Sequence, residues 1–194
     1  MRPGYVLAAL SALVALAWIR RETADEATMI DRAEAALRAL FPSPVDDLTT
    51  SPEGLELIAG FEGLRLTPYR LGDGGWTLGR GRYFPDSGPP PPARIDLATA
   101  DQWFAEDVAD KGERWVRAYV TTLVTQAQFD ALVSLAFNLS PRSFRTIAAE
   151  VNAGRDPEAA ALRYVRAGTN LERGLRRRRA AELAMYRSGS ETLA

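Results

Sequence analysis

Five residues, Gly88-Pro89-Pro90-Pro91-Pro92, divide this chain more firmly than any other feature. Proline fixes φ and offers no amide donor, so the run excludes helix and reads as a rigid extended connector. The chain differs in character on its two sides. Before the run, Leu64, Leu66, Tyr69, Trp76, Leu78 and Tyr83 are interspersed with glycines and polar residues, the pattern of a small antiparallel sheet of two or three short strands. After it, from Leu97 onward, apolar residues recur at helical spacing. A small sheet near the start of a domain with a larger helical lobe behind it is an α+β architecture.

Helix punctuation fills in the outline. Thr50-Ser51-Pro52-Glu53 starts a helix: Thr or Ser caps it, Pro suits the first turn and Glu53 can reach back to the cap. Leu55, Ile58, Ala59 and Phe61 form its buried stripe, and Gly60 and Gly63 mark its exit. Thr99 is expected to cap the helix after the proline run, with Trp103, Val108, Trp115 and Val116 as anchors and Gly112 as a break between two helices. Thr125 caps the next segment, QAQFDALVSLAFNL, which is apolar on several faces and therefore central. Ser140-Pro141 interrupts it. Shorter helices are expected at 143–153, 156–167 and 175–186, punctuated by Gly154, Gly168, Gly174 and Gly189.

The N-terminal part divides separately. Residues 4–19 carry no charge, with Arg2 before them and Arg20-Arg21 after them. The run is slightly short for a span of about 20 apolar residues. It fits the apolar region of a signal peptide, with Ala15-Leu16-Ala17 as a small-x-small cleavage site, and equally an uncleaved anchor. A buried soluble helix is the third reading. Thr23–Leu40 repeats Ile30, Ala33, Leu37 and Leu40 at helical spacing, and Phe41-Pro42-Ser43-Pro44 ends it. Residues 42–49 then read as a linker. The expected division is 1–21 as signal peptide or membrane anchor, an apolar N-terminal helix; 22–48 as helix and linker; 49–189 as the main domain; and 190–194 as a tail.

Composition narrows the chemistry. The chain has no histidine and no cysteine. That removes Ser-His and Cys-His nucleophilic pairs, disulfides and the usual zinc ligand sets. A net charge of −1 argues against general nucleic-acid binding. Hydrolytic chemistry in such a chain rests on carboxylates, hydroxyls, arginines or the single lysine, Lys111. Carboxylates are the natural candidates, and paired carboxylates are the equipment of glycoside cleavage.

Glu62 stands at the end of an apolar helix, facing the negative end of the helix dipole and partial burial, a setting suited to a proton donor. On position alone a solvated glutamate is an equal reading. Asp73 lies in Gly72-Asp73-Gly74-Gly75, where turn chemistry is the first explanation. Thr77 lies in a β-like stretch and its hydroxyl can orient a water, although an ordinary strand residue explains it as well. Arg176–Arg179 are four consecutive arginines. Successive helical residues turn by about 100°, so one or two can point inward to an acid such as Glu62 while the others meet solvent, an anionic polymer or a membrane surface.

Together the stretches LIAGFEGLRLTPY, GGWTLGRG, LVTQAQFDALVSLAFNL and GLRRRRAAELAMY resemble the phage-type lysozymes, glycoside hydrolase family 24. Their order and spacing carry the resemblance over about residues 50 to 189. It implies a two-lobed fold with the substrate between a small sheet and a helical bundle. It implies cleavage of the β-1,4 bond between N-acetylmuramic acid and N-acetylglucosamine in peptidoglycan, without metal or cofactor. Carried over by position, Glu62 resembles the general acid and Thr77 the threonine beside the attacking water. Asn138 resembles a polar residue lining the cleft, and Arg178, with Arg177 as rival, the arginine paired with the acid.

The chain departs from the family pattern at one site above all. The pattern places an aspartate nine residues after the glutamate, and that position is Leu71. Asp73, two residues on, is the substitute offered by this segment. Ser140 also stands where the family often has glycine, and Arg80 and Arg82 replace its usual strand-turn residues. Three readings stay open: Asp73 takes over the role; Glu62 works alone, as in lytic transglycosylases; or the domain binds glycan as a structural component with a degenerate site. The layout implies delivery to the inner membrane or periplasm through residues 4–19, or association with a virion. Residues 23–40 are free to dock on a virion or lysis protein.

Overall fold

The computed structural model describes residues 41–191. The readings of residues 4–19 and 23–40 lie outside the described residues. Among the described residues, no helix is long and apolar enough to cross a membrane.

The expected linker 42–49 is instead part of the helical lobe. Ser43 and Val124 exchange backbone hydrogen bonds of 2.8 and 3.0 Å. A single tight turn, Val45–Asp47, then brings Val45 and Leu48, three residues apart, into the core. Arg117 Nη2 donates to the Leu48 carbonyl at 2.7 Å. These two apolar side chains add to the hold on the strap, because each removes apolar surface from water.

Helix α1 spans Pro52–Ala59, with Pro52 in its first turn and the Ser51 hydroxyl accepting from the Gly54 amide at 3.1 Å. The acid that reaches the cap is not Glu53. Asp130 accepts from the Ser51 amide at 3.0 Å and from the Ser51 hydroxyl at 2.6 Å. Ile58 is the fully buried residue of the helix, and Leu55 and Ala59 pack beside it against the main core.

Three antiparallel strands follow in sequence order: β1 (Arg65–Tyr69), β2 (Gly75–Gly79) and β3 (Arg82–Pro85). β2 and β3 pair in regular register, with Thr77 opposite Tyr83 and Trp76 opposite Phe84. The β1–β2 register shifts between Arg65 and Tyr69; that interval contains Pro68, which has no amide to donate. Leu78 is fully buried beneath the sheet with Ile95 and Ala100, and Phe84 and Trp103 pack against them.

Helix α2 spans Leu97–Val108 and is capped by Asp96, whose carboxylate accepts from the Thr99 amide at 2.8 Å. Thr99, the expected cap, is therefore the third residue of the helix and supplies the donor. Gly112 marks no break. The chain continues through a wider π turn, Ala109–Glu113, into α3 (Arg114–Tyr119). A β-carbon on Gly112 would lie 2.7 Å from Val133 Cγ1, so glycine here permits close approach of two helices.

Helix α4 (Gln126–Asn138) is central and carries the expected cap, Thr125, reciprocated by Gln128. Ser140 caps α5 (Pro141–Asn152). The helix expected at 156–167 is shorter: α6 (Glu158–Ala161) runs into one tight turn, Leu162–Tyr164. Arg166, at φ 50°, and Gly168, at φ 77°, then turn the chain away from helix. Helix α7, Glu172–Glu191, is longer than expected at both ends. It takes in Gly174 and Gly189 and the start of the expected tail.

Arginines staple the sheet to α2. Arg82 Nη2 donates to the Trp103 carbonyl, Glu106 and Asp107 at 2.9, 3.0 and 3.1 Å. Arg80 pairs with Asp101 at 3.2 Å.

Candidate active site

Glu62 lies just past the end of α1, where the amides of Phe61 and Glu62 turn back to the carbonyls of Ile58 and Ala59. Its side chain keeps 26% of its surface exposed. Arg178, on α7, donates from Nη1 to Glu62 Oε1 at 2.8 Å. The same guanidinium lies against Phe61, with Cζ 5.4 Å from the ring centroid. Of the four arginines, Arg178 and Arg179 point inward and Arg176 and Arg177 outward, as the helical turn requires.

Behind the Glu62–Arg178 pair sits a second acid. Glu182 is fully buried; its Oε1 accepts from Arg178 Nε at 3.1 Å and from the Ser134 hydroxyl at 2.7 Å. Arg179, also fully buried, lies 3.0 Å from Glu182 Oε2 through Nε and donates from Nη2 to Asn138 Oδ1 at 2.5 Å. The Arg179–Glu182 contact is an ion pair by distance, but the N–H is not aligned for a hydrogen bond. The group thus balances two guanidinium charges against two carboxylates, the condition under which buried charge is tolerable. Burial pushes the Glu182 carboxyl up from its ordinary value, against the pull of Arg179, Ser134 and Arg178. Burial also lowers Arg179 from its ordinary value.

The opposite end of α1 is held by two further buried carboxylates. Glu113 accepts from the amide and the hydroxyl of Thr50, each at 2.7 Å, and pairs with Arg117 at 2.9 Å. Asp130 holds Ser51 and also accepts from Gln126 at 2.9 Å. Gly54 lies so close to Asp130 that a β-carbon would meet its carboxyl carbon at 2.6 Å. The helix that carries Glu62 is therefore fixed at both ends.

The other expected site residues are dispersed. Thr77 is buried in the middle of β2, between Tyr69 and Tyr83. Asp73 occupies the exposed turn between β1 and β2, flanked by Gly72 and Gly74, both at φ 84°. These positive angles are the turn chemistry that the glycines suggest. The Tyr83 hydroxyl donates to the Asp73 carbonyl at 3.1 Å and ties the turn to β3. Leu71, in the same turn, is 67% exposed. Asn138 joins the inner group through Arg179. Arg177 lies instead on a surface pocket of about 590 Å³ lined by Thr169, Asn170, Glu172, Arg173 and Arg176. Among the described residues, no acidic cluster is arranged to hold a metal ion.

Sequence reasoning missed Ser134, Arg179, Glu182, Glu113 and Asp130. Two signals were available. Glu182 follows Arg178 by four residues, the spacing of a helical ion pair. Asp130 is a lone charge in an otherwise apolar helix, where an acid needs a buried partner.

The family model described as phage lysozyme matches residues 59–182. The endolysin of Bacillus phage PZA is 37% identical over 150 residues, covering 72% of this chain and 55% of that protein. The endolysin of Acyrthosiphon pisum secondary endosymbiont phage 1 is 34% identical over 154 residues, covering 71% of this chain and 97% of that protein. The chain thus spans about half of the first relative and nearly all of the second. Among solved structures, the muramidase domain of SpmX from Asticaccaulis excentricus is similar, with a TM-score of 0.61 and 35% identity over 71% of this chain and 97% of that one. P22 lysozyme matches with a TM-score of 0.61 and 26% identity over 72% and 98%. The α+β, lysozyme-like fold expected from the sequence is the fold observed.

Proposed function

The chain belongs to the phage lysozyme family, and from that premise we propose that it is a peptidoglycan hydrolase, a muramidase that cleaves the β-1,4 bond between N-acetylmuramic acid and N-acetylglucosamine. The observation that carries this reading is the setting of Glu62: a partly exposed carboxylate in the segment that joins α1 to β1, held by a buried arginine of α7.

Glu62 protonates the glycosidic oxygen as the bond to the leaving sugar breaks. Asp73, the acid of the β1–β2 turn, activates water or balances the positive charge that develops on the sugar. The Thr77 hydroxyl orients that water, and Asn138 and Arg178 hold the polar surroundings of the acid. No step calls for a cofactor.

Leu71 supports a second reading. An exposed leucine stands at the position of the family's aspartate. A domain of this kind with Glu62 alone either releases a 1,6-anhydro sugar with the help of the substrate's own acetamido group, or binds glycan without cleaving it. Mass spectrometry of the products from purified peptidoglycan separates the three: hydrated reducing ends support the muramidase, anhydro ends the transglycosylase-like route, and no release the binding protein.

Residues 4–19 suit export or tethering at the host inner membrane, with the domain in the periplasm, for host lysis or for wall penetration from a virion. Residues 23–40 are the segment available for a virion or lysis partner. Fractionation and N-terminal sequencing of the expressed protein distinguish a tethered from a processed chain.

A further inference from the structure

We propose that Glu182 positions Glu62 through Arg178, so that a carboxylate with no access to solvent sets the orientation of the acid. The proposal rests on the reading of Glu62 as the proton donor and names the residues that hold it.

The geometry runs through one rigid plane. A guanidinium is planar, and its five N–H bonds have fixed relative directions. Arg178 bonds Glu182 from Nε at 3.1 Å and Glu62 from Nη1 at 2.8 Å. Once Nε is held by Glu182, the direction of Nη1 follows. The remaining nitrogen, Nη2, has no acceptor among the described residues, so Nε and Nη1 alone define the plane. Phe61 lies against the same guanidinium. Arg178 therefore fixes both the side chain of Glu62 and the residue before it.

Glu182 is itself held from two helices. Ser134 on α4 donates to the same Oε1 that receives Arg178, and Arg179 on α7 approaches Oε2. Arg179 then reaches Asn138, one helical turn beyond Ser134. The charged groups facing Glu182 are Arg178 and Arg179 from its own helix, with Glu62 beyond Arg178. The group facing it from α4 is the Ser134 hydroxyl.

Packing alone does not account for this acid. A leucine or methionine fills a buried helical position at less cost than an ion, since buried ion pairs are often replaceable by apolar residues without loss of stability. What an apolar residue cannot do is accept a hydrogen bond from Nε and so hold an arginine in one orientation. Removal of that acceptor leaves the Arg178 plane free to rotate and Glu62 without a fixed direction.

The test uses the full chain with Glu182→Met, Glu182→Asp, Ser134→Ala and Glu62→Gln. Side-chain nitrogen NMR follows the Arg178 Nε–H, assigned by its loss in Arg178→Lys. Steady-state kinetics on soluble peptidoglycan fragments follow kcat and KM. The wild type is expected to give a resolved, slowly exchanging Nε–H signal. Glu62→Gln keeps it, Ser134→Ala speeds its exchange, and Glu182→Met, which has no oxygen to accept from Nε, loses it. In Glu182→Met, kcat falls about tenfold or more while KM stays within about twofold, and Glu182→Asp recovers part of the loss. If Glu182→Met does not fold, Ser134→Ala carries the test, with faster exchange and a fall in kcat of about threefold. A folded Glu182→Met with unchanged signal and kcat overturns the proposal, as does an unchanged Ser134→Ala where that variant carries the test. Failure of the acid reading is distinct: full kcat in Glu62→Gln removes it, and the NMR signal still decides whether Glu182 orients Arg178.

Discussion

Glu62 and Arg178, 116 residues apart in sequence, meet through a hydrogen bond of 2.8 Å. That contact joins the end of the first described helix to the last, and it brings the candidate acid to the helical lobe. Its neighbours explain why it forms with Arg178 and not with the arginine next to it. Arg178 has Glu182 one turn along the same helix and Phe61 against its face, whereas Arg177 points to the surface.

Substitution of Arg178 should therefore cost far more than substitution of Arg177. Arg178→Met leaves Glu182 with one fewer counter-charge in a fully buried site and should destabilise the fold by about 3–5 kcal/mol. Arg177→Ala should stay within about 0.5 kcal/mol of wild type. Urea unfolding of both variants checks the contrast. Equal losses would show that the inner and outer arginines are wrongly assigned.

Gly112→Ala tests the close approach of the π turn to α4. The added carbon meets Val133 at 2.7 Å in a buried contact, so one helix must shift. A loss of about 1–3 kcal/mol is expected from overpacking. Thermal unfolding reads it, and a stabilised variant would mean that glycine is tolerated there rather than required.

Acid should weaken the hold on α1 through Glu113. Burial pushes this carboxyl up, but the hydroxyl and amide of Thr50 together with Arg117 hold it below its ordinary value. A carboxyl lowered in the folded state contributes stability above its unfolded value and loses it as pH falls through the folded one. Glu113→Gln should thus be less stable than wild type at neutral pH, and the gap should narrow as pH drops below the ordinary value of 4.5. Asp130 runs the other way, because burial raises it; its ionisation opposes folding as pH rises from the ordinary value of 3.8. Unfolding by urea across a pH series measures both. A gap for Glu113→Gln that widens toward acid would contradict the assignment.

Asp73→Asn tests the stand-in carboxylate. If Asp73 supplies the second charge, release of muropeptides should fall at least about tenfold with little change in stability, since the residue sits in an exposed turn. Activity equal to wild type would leave Glu62 acting alone and favour the anhydro product.

Much of this was legible in the sequence where the deciding contacts are local. The small sheet, read as two or three strands, follows from apolar residues interspersed with glycines, and the Thr125 cap from its place just before an apolar run. Glu62 reads as an acid ending an apolar helix, with a solvated glutamate an equal reading on position alone. The strap at 42–49 was not legible, because Val45 and Leu48 are buried by a bridge to Val124, far away in the chain. Gly112 read as a break because its reason is the proximity of Val133, which no local pattern reveals. Asp96 displaced Thr99 as cap because either side chain can cap, and the Asp96 carboxylate reaches the Thr99 amide. Glu182 escaped notice because a basic run followed by an acid resembles a solvated helix face. Only the turn of α7 toward Ser134 shows that its inner edge is buried.

The most direct measurement is a zymogram on purified peptidoglycan comparing wild type with Glu62→Gln, both verified as folded. The account predicts clearing by the wild type and a loss of at least about 100-fold in the isosteric variant, the scale of a missing general acid. Clearing by Glu62→Gln at the wild-type rate, or no clearing by a folded wild type, would contradict it.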